Sequence, residues 1–284
     1  MTVVVSIKVY DGIVLAADSA TTANLADPSG TIVDHQVWNN ADKVFQLHRD
    51  LPIGLATWGG GHIQSASIST LAKDLRRRLM GRDANKQDWE LDRSSYTVEE
   101  VAHRLVELMH GELYVNVPVA EAQVIGFLLA GYSGGAGHPE AWQVTLEPGQ
   151  TPVPVQVWDT DAIGWRANGQ PDAIARLLNG YGPGLQAGVQ ALVPQADHAV
   201  LQKVFEAEAR AASVAQMPFA DAIELAKFCV ETTIGYFRFV PGTALVGGPV
   251  DVAAISRHEG FKWVQRKHYY PPELNPRRPH DHDQ

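Results

Sequence analysis

Apolar and polar positions alternate from the second residue of the chain onward. TVVVSIKVY is rich in β-branched side chains, Asp11-Gly12 is a tight-turn signal, and IVLAAD resumes the apolar run. This pattern predicts a β-hairpin. The polar stretch ANLADPSG predicts a loop, and KVFQLH with IGLATW predicts a second strand pair that turns between Arg49 and Pro52. The period then changes. HIQSASISTLAKDLRRRLM carries apolar residues at helical spacing and ends in basic ones, as suits a helix C-terminus. TVEEVAHRLVELMHGEL opens with Thr97 and Glu100 at capping-box spacing.

Strand patterns return in AQVIGFLLAGY, AWQVTLEP and PVPVQVW. Helical ones follow in PDAIARLLNGY, HAVLQKVFEAEARAA and PFADAIELAKFCVETTIGYF. PVDVAAIS and FKWVQ predict two last strands, and the Pro-rich, charged tail from Tyr269 is expected to be extended or disordered. Hairpin-linked strands with helices segregated in groups predict an α+β fold. Its expected form is a four-layer αββα sandwich, two antiparallel sheets between helix layers. The expected organisation is one domain over 1–268 and a tail over 269–284.

Composition narrows the function. The chain has 284 residues, 45% of them hydrophobic and 19% charged, which is ordinary for a globular protein. A net charge of −9 argues against a nucleic-acid binder, which would carry a basic footprint, and against an anionic membrane surface. No apolar run reaches the roughly 18–20 residues of a membrane span, and no secretory signal pattern is visible at the start. The single cysteine, Cys229, lies in a helical pattern and reads as a buried structural thiol. These features fit a cytoplasmic protein. His280 and His282, in the tail segment PHDHDQ, suit a solvated tail better than a metal site, and neither a metal nor another cofactor is expected.

The candidate chemistry begins at Thr2. A threonine hydroxyl is a poor nucleophile because its proton must leave during attack. At a chain terminus its own α-amino group, with an unperturbed pKa of about 7.7–8.0, accepts that proton directly or through water. Removal of Met1 would create this group. Asp18 ends the apolar run IVLAAD, an awkward place for a carboxylate without a charged partner. Lys43 opens KVFQL, again a charge at a strand edge. In a hairpin the start of the first strand lies near the end of the second, so Asp18 can approach Thr2. A lysine beside them would be held protonated by Asp18 and would favour loss of the hydroxyl proton.

TVVVSIKVYDGIVLAADSATTA, NADKVFQL and GLATWGGG, in that order, resemble the proteasome β-subunit family of N-terminal nucleophile hydrolases. The likeness is close over residues 2–60 and only architectural over roughly 120–260. It is of the divergent bacterial, Anbu-type kind, in which Thr follows Met without a propeptide. The resemblance implies Thr2 as nucleophile, Asp18 as orienting carboxylate and Lys43 as basic partner. It also implies an oxyanion-hole N–H at Gly59 or Gly60, a side-chain pocket lined by Thr21, and Thr22 as the backbone partner of an extended substrate. The implied activity is threonine-type peptide or amide hydrolysis, with peptides or unfolded proteins as substrates. A homo-oligomeric ring and an ATPase unfoldase are the implied partners.

Three departures accompany the likeness. The segment between Asp18 and Lys43, through ADPSGTIVDHQVWNN, is longer than usual and is expected beside the specificity pocket. A GSG-like phrase has no clear match, the nearest stretch being GWRANGQ. Thr243 and Val246 stand where the family has a supporting acid and hydroxyl. Two alternatives therefore stay open, a noncatalytic ring-forming subunit and a small-amide acylase on the same fold.

Overall fold

A computed structural model describes residues 2–26, 32–209, 214–241 and 246–267. The expected hairpin forms from β1 (Val3–Val9) and β2 (Gly12–Ala17), and every residue of both strands is buried. A strand buried on both faces needs cover on both sides. On one face Val3, Val5, Ile7 and Val9 join Ala226, Cys229 and Val230 of α6 (Phe219–Phe239) in an apolar cluster. On the other, Val4, Ile13 and Leu15 meet Leu128, Ala130 and Ala141 of the second large sheet.

The first sheet has the order β12-β1-β2-β13-β14, with β12 (Gly164–Gly169), β13 (Asp251–Ser256) and β14 (Gly260–Gln265). The second runs β11-β10-β9-β6-β5, from β11 (Val155–Trp158), β10 (Glu140–Leu146), β9 (Ile125–Gly131), β6 (Ile53–Gly59) and β5 (Val44–Gln46). All pairings are antiparallel. Beyond the second sheet, Leu71 and Leu75 of α1 (Ile68–Leu79) and Val101 and Leu105 of α2 (Val98–Val106) close a third cluster on Leu55, Phe127 and Leu129. The architecture is α+β, with antiparallel sheets and six α-helices among the described residues.

Local chemistry explains where the helices start. The Thr97 hydroxyl accepts the N–H of Glu100 at 2.9 Å, as the capping-box spacing predicts. Helix α1 begins later than its sequence pattern. His62–Ile63 and Ala66–Ser67 first form a two-residue β ladder, β7 with β8, and Gln64 between them takes a left-handed φ of 52°. Ser67 then caps α1 by accepting the N–H of Thr70 at 3.2 Å.

Four elements correct the sequence reading. GWRANG, not expected as a strand, forms β12, a half-buried edge strand paired with β1. Residues 23–26 of the ANLADPSG stretch, expected as loop, instead belong to a ribbon, β3 (Thr21–Ala26) paired with β4 (Ile32–Trp38), and residues 27–30 lie outside the described residues. The ribbon stands outside the two five-stranded sheets, and the described side chains of β4 from Val33 to Trp38 are exposed or half-buried. Helix α4 (Pro183–Leu192) was not expected. It buries no residue, so it carries no amphipathic stripe to read. It follows α3 (Asp172–Asn179) and precedes α5 (His198–Glu208). Beyond α2 the chain continues in π-helical turns over Glu107–Leu113 rather than as a plain α-helix. Burial keeps the Cys229 thiol neutral, with its pKa pushed up to about 11. Thr243 and the tail from Tyr269, including His280 and His282, lie outside the described residues. No helix among the described residues is long and apolar enough to cross a membrane.

Candidate active site

Antiparallel register gathers the candidate residues at one end of the two large sheets. Val3, next to Thr2, pairs with Gly169 at the end of β12, and Val4 pairs with Ala17, next to Asp18. Asp251, which opens β13, pairs with that same Ala17. In the second sheet Lys43 immediately precedes β5, and Gly59 ends β6 opposite Ile125. The starts of β1, β5 and β13 and the ends of β2, β6 and β12 thus meet around Thr2.

Asp18 is fully buried and fully engaged. Its Oδ1 accepts the Lys43 ammonium at 2.6 Å and the N–H of Val3 at 3.0 Å. Its Oδ2 accepts the N–H groups of Ala20 at 3.1 Å and Gly247 at 3.0 Å. Four donors on one carboxylate compensate a burial that would otherwise be prohibitive. Burial pushes the Lys43 pKa below its ordinary value, and the like charge of Lys267 adds to this; the charge and hydrogen bond of Asp18, with the charge of Asp251, oppose it.

Thr2 is buried, yet it lies on the wall shared by two clefts. One, of about 420 Å³, is lined by Lys43, Thr21, Trp58 and Ile68 as well as Thr2. The other, of about 590 Å³, adds Thr22, Ala23 and Trp38 from the ribbon. The long Asp18–Lys43 segment therefore does border the cleft, as a ribbon wall. Gly169 closes in from the third side. Its φ is +81°, and a Cβ there would stand 1.9 Å from the Thr2 carbonyl oxygen, so only glycine fits. GWRANGQ thus contributes close backbone rather than a hydroxyl.

The two glycines expected as oxyanion donors separate. Gly60 donates its N–H to the Val124 carbonyl at 3.0 Å, so that donor is committed. Ladder alternation assigns the other edge to odd positions of β6. Thr57 donates to the Lys43 carbonyl at 2.9 Å, and Gly59, two residues on, directs its N–H to the same edge beyond the start of β5. Gly59 has φ +87°, and a Cβ there would meet the Val124 carbonyl oxygen at 2.3 Å.

Val246 is buried among apolar residues of the α6 cluster and supplies no polar atom. The neighbouring Gly247 supports the site through its backbone instead: its N–H holds Asp18, and its carbonyl accepts the N–H of Ser19 at 2.9 Å.

A second ion cluster beside Asp18 was not singled out from the sequence. Lys267 pairs with Asp251, donates to the Ser19 hydroxyl at 2.9 Å and stands 3.5 Å from Asp42. Ser19 in turn donates to the Pro249 carbonyl at 2.7 Å. Asp42 lines the smaller cleft next to Lys43, and Ser69 of α1 donates to it at 3.2 Å. Asp251 carries the same signal as Asp18, a carboxylate at the end of an apolar strand, and could have been found by it. No group of three or more His, Cys, Asp or Glu among the described residues is placed to hold a metal ion.

No protein-family model matches the chain, and no curated protein matches it.

Proposed function

We propose that the chain is a threonine-dependent amide or peptide hydrolase of the N-terminal nucleophile type. The observation that carries this reading is the buried Lys43–Asp18 pair, 2.6 Å apart, whose shared oxygen also holds the backbone next to Thr2. After Met1 is removed, the Thr2 hydroxyl attacks a substrate carbonyl and passes its proton to its own α-amine, directly or through water. The Lys43 charge lowers the cost of that proton loss, and the Gly59 N–H faces the developing oxyanion. The leaving amine takes the proton, and water then hydrolyses the ester on Thr2.

We read the three apolar clusters as the interfaces of four layers, helix, sheet, sheet and helix, which is the fold the resemblance implies. The two clefts that meet at Thr2 suit an extended peptide passing through, with Thr21 and Thr22 on one wall. A homo-oligomeric ring taking peptides or unfolded protein fits the apolar exposure of the helices, where Leu192 of α4 and Phe239 of α6 are 87% and 81% exposed. The same exposure is what favours the second reading, a ring-forming subunit without catalysis. Turnover of an N-terminally blocked peptide by wild type, set against Thr2→Ala, separates the two. A rate that survives Thr2→Ala removes the proposed nucleophile.

A further inference from the structure

Away from Thr2, basic side chains from separate segments converge on one concavity. Arg49 in the β5–β6 turn, Lys73, Arg76 and Arg77 on α1, and Arg82 just past its end line an open space of about 360 Å³ with Met80. Arginines in the last turn of α1 suit its carbonyl end. That effect does not explain Arg49 or Arg82, which lie outside the helix. Nor does general composition, because the chain has 23 Lys and Arg against 32 Asp and Glu.

The nearby carboxylates engage Arg77 on the wall of this space and cations away from it. Asp83 pairs with Arg77 at 3.3 Å and Arg78 at 3.5 Å, Asp74 with Arg77 at 3.8 Å, and Asp50 with Arg93 at 2.8 Å. Arg78 also holds Glu112 with both arms of its guanidinium, at 2.6 and 2.8 Å. Among the described residues no carboxylate forms an ion pair with Lys73, Arg76 or Arg82, although all three face one space. Arg76 is half-buried. Burial and then the charges of Arg82, Arg49 and Arg266 depress its pKa, with Asp50 opposing them. Such a cluster is held together by the fold against its own repulsion.

We propose that this concavity binds a small multivalent oxyanion, a polyphosphate or a polycarboxylate, held by Lys73, Arg76 and Arg82. An anion there would relieve the mutual repulsion and accept the planar donor forks of the arginines. The volume lies within the range of small-ligand pockets, about 300–1,000 Å³. The proposal does not depend on Thr2, so Thr2→Ala protein is expected to bind as wild type does.

The test is calorimetric titration of the full chain with sodium tripolyphosphate and, separately, with citrate, at about 0.15 M salt, where surface charges beyond a Debye length are screened. Saturable one-to-one binding of at least one anion is expected, weakened about tenfold or more in Arg76→Gln/Arg82→Gln, as loss of charge-assisted hydrogen bonds implies. The tighter of the two anions identifies the ligand chemistry. Lys73→Gln, an exposed change on α1, serves if the double variant does not fold, and it is expected to weaken binding about threefold or more, a smaller loss of the same kind. Undiminished binding by the variant, or no saturable binding of either anion, overturns the proposal. Binding of a glutamate decapeptide alone also overturns it, in favour of docking by an acidic chain.

Discussion

Oδ1 of Asp18 joins Lys43 to the backbone beside Thr2: it accepts the Lys43 ammonium at 2.6 Å and the Val3 N–H at 3.0 Å. One atom thereby fixes both the candidate nucleophile's neighbour and the charge intended to act on it. It follows that Asp18 and Lys43 are not equivalent under mutation.

Lys43→Met removes the charge and leaves Asp18 with three backbone N–H donors, so the carboxylate stays partly satisfied. We expect a loss of about 1–3 kcal/mol in stability and a fall in Thr2-dependent turnover of about 100-fold or more. Asp18→Asn is worse for the fold. Either orientation of the amide turns an NH₂ group toward donors, and Lys43 loses its counter-charge, at about 3–5 kcal/mol. Urea denaturation of both variants beside peptide turnover checks the difference. Asp18→Asn more stable than Lys43→Met would contradict it.

Gly169→Ala tests the third wall. A Cβ 1.9 Å from the Thr2 oxygen cannot be accommodated without moving Thr2, and the φ of +81° is itself strained for alanine by about 1–2 kcal/mol. Turnover is expected to fall further than this stability loss explains. Full turnover in a folded Gly169→Ala protein would show that the close approach has no bearing on the site.

Lys267 is expected to influence the alkaline limb of turnover. Its charge helps to hold the Lys43 pKa down, and it neutralises Asp251, which acts the other way. Lys267→Met removes the first effect and releases the second, so Lys43 stays protonated to higher pH. The alkaline limb of the pH–rate profile is expected to move upward, whereas a merely structural role would lower the rate without moving the limb.

Stability itself is expected to decline in alkali. Burial holds Cys229 at about 11 and Tyr96 and Tyr132 at about 12, against unfolded values of 9.0 and 10.0. Their stabilisation is complete below pH 9. As pH rises the unfolded chain loses these protons first, so stability falls through the window up to the folded values. Lys43 opposes the trend, because its lowered pKa makes the folded state release a proton before the unfolded one. The urea midpoint measured from pH 8 to 11 should fall, and less steeply in Tyr96→Phe. A midpoint that rises over this range would contradict the assignment.

Apart from β12, a half-buried edge strand flanked by glycines, the strands of both large sheets were legible because an apolar, β-branched run bounded by Asp11-Gly12 or by polar turns has few other solutions. Asp18 and Lys43 were legible as partners because charge at the end of an apolar strand demands one, and each supplies it to the other. What stayed hidden depends on distance in space. The described side chains of the β3–β4 ribbon are exposed or half-buried, so its pattern resembles a loop. Whether Gly59 or Gly60 keeps a free N–H is decided by ladder phase against Val124, which no local spacing encodes. Lys267 meets Asp42 and Ser19 only after segments more than 200 residues apart in the chain have folded together.

The central claim is that Thr2, freed of Met1, is the attacking group. Intact mass of the protein after incubation with an N-terminally blocked peptide carrying an activated amide tests it most directly. The account predicts protein lacking Met1, with a transient acyl adduct that disappears in Thr2→Ala. Full retention of Met1 alongside unchanged turnover, or an equal adduct on Thr2→Ala protein, would contradict it.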